Sequence, residues 1–166
     1  DEGIYYNITD AANKTVRVTY GTNRYTGCVV IPESVTYKGT TYSVTSIGSS
    51  AFSGCTGLTS ITRPNSVTSI EEFAFNGTAW YSNQPDGVVY AGKVLYKYKR
   101  TMPANTSITI KDGTLGITDG AFDECDGLIS IIIPNSVTRI GNDAFKNCTG
   151  LTSIEIPNSV TSTGYF

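Results

Sequence analysis

The chain has 166 residues, of which 39% are hydrophobic and 16% charged, and its net charge is −2. A surface so weakly charged offers no basic field to hold nucleic acid or an anionic membrane, and no apolar run reaches the length of a membrane-crossing helix. Histidine is absent, which removes Ser-His-Asp and Cys-His nucleophiles, histidine zinc sites and a histidine general base.

Any catalysis would rest on carboxylates or lysine, and no acid and base can be paired on facing positions. The sequence therefore predicts no enzyme, no cofactor and no metal. The amino terminus, DEGIYYNITD, has no basic then apolar leader. The expectation is an intracellular protein or one whose signal or anchor was removed before Asp1.

Residues 1–43 alternate at period two. Ile4, Tyr6 and Ile8 share one face, and Val16, Val18 and Tyr20 share another across the polar turn Asp10 to Lys14. This pattern predicts a β-hairpin cap, with a second small hairpin turning at Lys38-Gly39-Thr40. Such hairpins cover the edge that a stacked array otherwise exposes.

From Val44 the chain repeats every 23 residues: Val44 to Ser66, Thr114 to Ser136, and Val137 to Ser159. Each copy carries Leu-x-x-Ile-x-Ile or a close variant, as in Leu128, Ile131 and Ile133. That period and pattern predict a leucine-rich-repeat solenoid, mostly β, in which each copy is one coil. A lone coil buries too little apolar surface to offset its ordering entropy, so coils must stack.

Within a coil the expected parts are a short first strand (Val44, Ile47), a helical turn presenting Ala51, Phe52 and Cys55, and a left-handed stop at Gly57. A second strand and a Pro-Asn-Ser turn complete it. Second strands are expected at Leu58 to Arg63, Ser107 to Ile110, Leu128 to Ile133 and Leu151 to Ile156. They are predicted to run in parallel in a right-handed array, with Phe52, Phe75, Phe122 and Phe145 stacked inside.

Thr62, Thr109, Ile132 and Glu155 would form a flat outward ladder without a concave pocket. Arg63 stands where other copies have isoleucine, and its stem is expected on the core edge with its head in solvent. The carboxyl end looks unfinished or blunted: either a longer array was trimmed, or Tyr165 and Phe166 cover the last layer.

Val67 and its counterpart Thr114 lie 47 residues apart, which reads as one coil plus an insert over residues 78–104. Inside it, two apolar runs flank Ala91-Gly92 and predict a β-hairpin. The domain reading is one solenoid over 1–166, with a cap at 1–43, repeats at 44–77 and 105–166, and the insert between.

Insertions in repeat proteins map to binding faces. This one gathers Trp80, Tyr81, Tyr90, Tyr96 and Tyr98, with Lys97 and Lys99 at the rim, the residue types that dominate binding hot spots. Cys55, Cys125 and Cys148 share one repeat position and are expected to be buried thiols without disulfides, like Cys28. Asp119, Asp123, Glu124 and Asp126 lack calcium-loop spacing and read as a solvated turn.

The Ala-Phe pairs Ala51-Phe52, Ala74-Phe75, Ala121-Phe122 and Ala144-Phe145, followed by Leu-Thr-Ser-Ile and Pro-Asn-Ser, closely resemble the BspA-like leucine-rich repeat proteins of bacteria over residues 44–162. The resemblance implies a secreted or surface-anchored protein that adheres to matrix proteins or cells, and it supplies no catalytic residues. The expected function is an extracellular adhesion module with a protein partner. The alternative is glycan binding by Trp80 and the tyrosines, whose rings stack on sugars. A purely structural spacer is the third reading.

Overall fold

The computed structural model describes residues 3–22 and 24–165, and the chain divides into two units, Asp1–Gln84 and Pro85–Phe166. Nearly all of the regular structure is strand, with one four-residue helix among the described residues.

The first unit contains β1 (Tyr5–Asp10), β2 (Thr15–Thr19), β3 (Gly27–Val30), β4 (Ser34–Tyr37), β5 (Thr40–Ile47), β6 (Leu58–Thr62), β7 (Ser69–Ile70) and helix α1 (Ala79–Ser82). The alternation read in the sequence gives the antiparallel pair β1 and β2, with Ile8 opposite Val16, and the tight pair β4 and β5, with Tyr37 opposite Thr40. The repeat ladder starts earlier than the periodicity suggests, however. β2 runs parallel to β5, with Val18 beside Ile47, and β3 runs parallel to β6, with Val29 beside Ile61. Residues 15–31 thus form a coil of their own. Tyr25 sits edge-on to Phe52 at 5.1 Å, where the other copies use phenylalanine.

The second unit contains β8 (Gly87–Ala91), β9 (Val94–Lys99), β10 (Thr106–Thr109), β11 (Gly116–Ile117), β12 (Leu128–Ile132), β13 (Arg139–Ile140) and β14 (Ser162–Thr163). β8 and β9 are the expected hairpin. β9 also pairs in parallel with β11, which pairs with β13, which pairs with β14. β10 pairs with β12, with Ile108 beside Ile131. Residues 93–112 therefore contain both strands of a coil, which corrects the expectation of an insert reaching to 104. Tyr98 marks the register: its N–H donates to the carbonyl of Ala121 at 2.8 Å, as the Phe122 N–H does to Ala144 at 2.8 Å.

The segment between the two strands is a chain of tight turns rather than the expected helical turn. In the Val44 coil, Ser53 donates to Ser50 and Cys55 to Phe52, both three residues back. The residue before each Ala-Phe pair has positive φ (Ser50, Phe73, Gly120, Asp143), as does the residue before each cysteine-type position (Gly54, Gly77, Glu124, Asn147). Left-handed residues at that spacing stop a helix from propagating.

Gly57 is not the left-handed stop. A Cβ there would lie 2.8 Å from the Thr26 methyl, and one on Gly150 would lie 2.6 Å from the Asp126 carbonyl oxygen. The glycine is needed because the neighbouring coil passes so close.

Each unit has an apolar interior. Phe52 and Phe75 stack at 5.7 Å in the first, and Phe122 and Phe145 at 5.5 Å in the second. Phe52, Phe75 and Phe122 are buried and Phe145 half-buried. Cys55, Cys125 and Cys148 are buried free thiols, whereas Cys28 is exposed. Thr78 takes the cysteine position in its coil, fully buried, with its hydroxyl donating to the Phe75 carbonyl. Tyr165 is 85% exposed and covers no core layer, and Phe166 lies outside the described residues.

The expected fourth second strand does not form. Residues 151–156 carry no strand pairing; Leu151 and Ile154 are half-buried and Ile156 is exposed. On either side of this gap the coil is tied in, through the Lys146 carbonyl accepting from Glu124 and the Thr161 N–H donating to Thr138.

Candidate functional site

The aromatic residues singled out in the sequence fall in both units. In the first, Thr78 caps α1 by accepting from the Tyr81 N–H at 3.0 Å. This short turn of helix tilts the Trp80 ring onto Phe75 at 4.6 Å. Trp80 and Tyr81 are half-buried, and burial raises the pKa of the Tyr81 phenol.

In the second unit Tyr96 is 3% exposed and presents no area to a partner. Its burial follows from the place of β9 inside a ladder, with β8 on one side and β11 on the other. Tyr98 packs on Phe122 at 6.4 Å. Tyr90 accepts from the Lys111 N–H at 3.1 Å and lies under the Lys111 ammonium at 4.6 Å. Tyr90, Lys97, Tyr98 and Lys99 are half-buried. Within the second unit the structure brings Tyr90 and Tyr98 together against the core as packing.

A second region went unread in the sequence. The outward ladder is not flat at Ile132 and Glu155. Beside β12 the chain opens a cleft of ≈ 540 Å³, with Ile131, Ile132 and Ile133 on one wall and Ser153, Glu155 and Ile156 on the other. Ile132 is 60% exposed, while the inward Ile131 and Ile133 are buried. In the first unit Val30 of β3 is similarly exposed. The signal available was the run Ile131-Ile132-Ile133, in which one isoleucine of three must face outward on a strand.

Asp119, Asp126 and Arg63 are tied to structure. Asp119 accepts from the Asn142 N–H at 2.9 Å and Asp126 from the Thr149 hydroxyl at 3.0 Å, so the acidic cluster joins successive coils. Among the described residues no group of three or more Cys, Asp or Glu is placed to hold a metal ion. Arg63 does not send its head into solvent: it donates to the Val67 carbonyl at 3.3 Å, and burial lowers its pKa. Burial, with Cys148 alongside, pushes the Cys125 thiol up to about 12, which keeps it protonated and unreactive. Among the described residues no helix is long and apolar enough to cross a membrane.

Residues 32–98 and 96–166 match the model of the BspA type leucine-rich repeat region, in six copies. Among solved structures, the chain is similar to the leucine-rich repeat protein of T. pallidum, with 26% identity over 97% of this chain and 61% of that one and a TM-score of 0.46. It is also similar to a leucine-rich cell surface protein of Faecalibacterium prausnitzii, with 24% identity over 99% and 49% of the two chains and a TM-score of 0.38. The pneumococcal vaccine antigen PcpA shares 14% identity over 96% and 70%, with a TM-score of 0.44. The chain thus spans 61% and 49% of the length of the first two. No curated protein matches it.

Proposed function

This chain belongs to the BspA type leucine-rich repeat family, and we propose that it is a non-catalytic binding module, secreted or held at the cell surface, that adheres to a protein partner. The observation that carries this reading is the set of large aliphatic side chains standing in solvent on the second strands: Val30 at 62% exposure, Ile132 at 60% and Ile129 at 43%. They rise from a surface that is otherwise mainly serine and threonine. Apolar side chains standing in solvent gain free energy when a protein covers them.

Trp80 and Tyr81 in the first unit, and separately Tyr90, Lys97 and Tyr98 in the second, are further contacts, each through whatever ring or stem it leaves open. Tyr96 is withdrawn from the set. Protein is favoured over glycan as the partner, because aliphatic side chains bury well against protein but offer no flat π-face for a sugar ring.

The test is to present the soluble chain to an array of matrix and bacterial surface proteins and to a glycan array. Saturable binding to a protein, weakened by Ile132→Asp, is the predicted result. Binding confined to glycans would replace this reading with the alternative.

A further inference from the structure

β12 is bonded along one edge only. The Ile110 N–H donates to the Ile132 carbonyl at 3.0 Å, so the peptide groups of Ile132 face β10. Successive residues of a strand alternate in the direction of their backbone bonds. Those of Ile131 and Ile133 therefore face the opposite way, into the cleft, while their side chains are held in the core. Among the described residues no strand pairs with that edge. The first unit is different, because α1 packs against β6.

An edge with unpaired N–H and C=O groups is a template for one kind of ligand, another extended backbone. The walls agree with that chemistry. Isoleucines supply apolar surface for the alternate side chains of an incoming strand, and Ser130 and Ser153 supply small polar neighbours. The lining has no aromatic ring to stack a sugar and no cation to hold an anion. Its single charged side chain is Glu155.

We propose that this cleft is a strand-receiving site. An extended segment of a protein partner, β-branched at alternate positions and carrying a lysine or arginine opposite Glu155, pairs with the free edge of β12 in the parallel sense of the existing ladder. The inference rests on the reading that the chain binds protein, and it names where and how.

The β10 sequence shows what β12 accepts on its other edge: Ser107 beside Ser130, Ile108 beside Ile131 and Thr109 beside Ile132. The probe is therefore a synthetic peptide, TSIKI, which is Thr106 to Ile110 with lysine in place of Thr109, set by register opposite Ile132 and Glu155. Amide hydrogen exchange of the intact chain, resolved by residue, is measured with and without peptide. The peptide should slow exchange at Ile131 and Ile133 about tenfold or more, and TSIEI should bind several-fold more weakly.

Glu155→Lys should reverse that preference, and methylation of the peptide nitrogens that meet the edge should abolish binding. No added protection at Ile131 and Ile133 with millimolar peptide would overturn the proposal. So would full protection without peptide, which would mean that residues 151–156 close the edge themselves. Should the intact chain bind a protein on the array while the peptides fail, the strand site is wrong and the adhesion reading stands. Failure of both removes both.

Discussion

Two ladders of the second unit grow from the same repeat and end differently. The first-strand ladder passes without a break through β9, β11, β13 and β14. The second-strand ladder stops after β10 and β12, although Leu151 to Ile156 copies the apolar spacing of Leu128 to Ile133. In the first ladder, Val94, Leu95, Gly116, Ile117 and Ile140 are all buried, so pairing there also gains from core packing, while Arg139 is half-buried and Ser162 and Thr163 at the end of the ladder are exposed.

At 151–156 the copy replaces Ile132 by Glu155, a residue type disfavoured in strands, where the paired strands β6 and β10 carry Thr62 and Thr109. Apolar spacing decides which residues face inward. Whether the backbone then joins a ladder depends on the residues between them.

The largest test of this contrast is replacement of residues 79–104 by a short Gly/Ser linker. That change removes β9 from the continuous ladder, together with Leu95 and Met102 from the core. The second unit should lose its cooperative unfolding transition, seen by circular dichroism during a denaturant titration. A variant that still unfolds cooperatively, with its Ile117 amide protected, would show that β9 is dispensable after all.

Glu155→Ile sharpens the contrast from the other side. It restores the isoleucine of the preceding copy and should draw residues 151–156 onto β12. The stability gained should be about 1 kcal/mol, within the range that strand propensity spans, with slowed exchange at Ile131 and Ile133. Unchanged exchange there would mean that side-chain identity does not decide the closure.

The Pro-Asn-Ser turns offer a smaller comparison. The Ser136 hydroxyl donates to the Thr114 carbonyl at 2.8 Å and accepts from the Gly113 N–H at 3.1 Å. Its counterpart Ser66 has a buried hydroxyl without a partner. Ser136→Ala should cost about 1 kcal/mol and Ser66→Ala close to nothing or a slight gain. Equal losses in thermal melts of the two variants would contradict the assignment of this bond.

Alkaline titration addresses the interiors themselves. Burial holds the Cys125 thiol at about 12 against an ordinary 9.0, and the Tyr6 phenol at about 12 against 10.0. The folded chain thus binds these protons more tightly than the unfolded chain. The stability they contribute is complete below pH 9 and is lost progressively as pH rises toward 12. Cys125→Ala should flatten part of that decline, and an identical pH profile would show that the thiol does not contribute to it.

The repeat, the buried phenylalanines and the parallel register were all legible in the sequence, because a fixed period puts equivalent side chains in one column. The coils at 15–31 and 93–112 were not. They replace the Ala-Phe pair with Tyr25 and Tyr98, and vary the Pro-Asn-Ser turn to Pro32-Glu33-Ser34 and Lys111-Asp112-Gly113, yet backbone pairing still places them. Pairing of N–H and C=O groups requires no particular side chain, so a coil survives after its signature has gone.

The same mechanism misled the site reading. Tyr96 and Tyr98 read as part of an aromatic insert because their strand looked like an addition to the array, whereas β9 is part of it. The cleft at β12 was hidden for the opposite reason, since it arises where a strand with a legible pattern fails to pair.

The proposed adhesion places a protein partner on the exposed aliphatic side chains of the second strands more than on the aromatic hairpin. The most direct measurement is the Kd of one array-selected protein for the intact chain, for Ile132→Asp and for Lys97→Ala, with thermal melts to confirm that each variant folds. The account predicts at least about a tenfold loss for Ile132→Asp, equal to about 1.4 kcal/mol, and little change for Lys97→Ala. A folded Ile132→Asp variant that binds like the parent, beside a Lys97→Ala variant that does not, would contradict it.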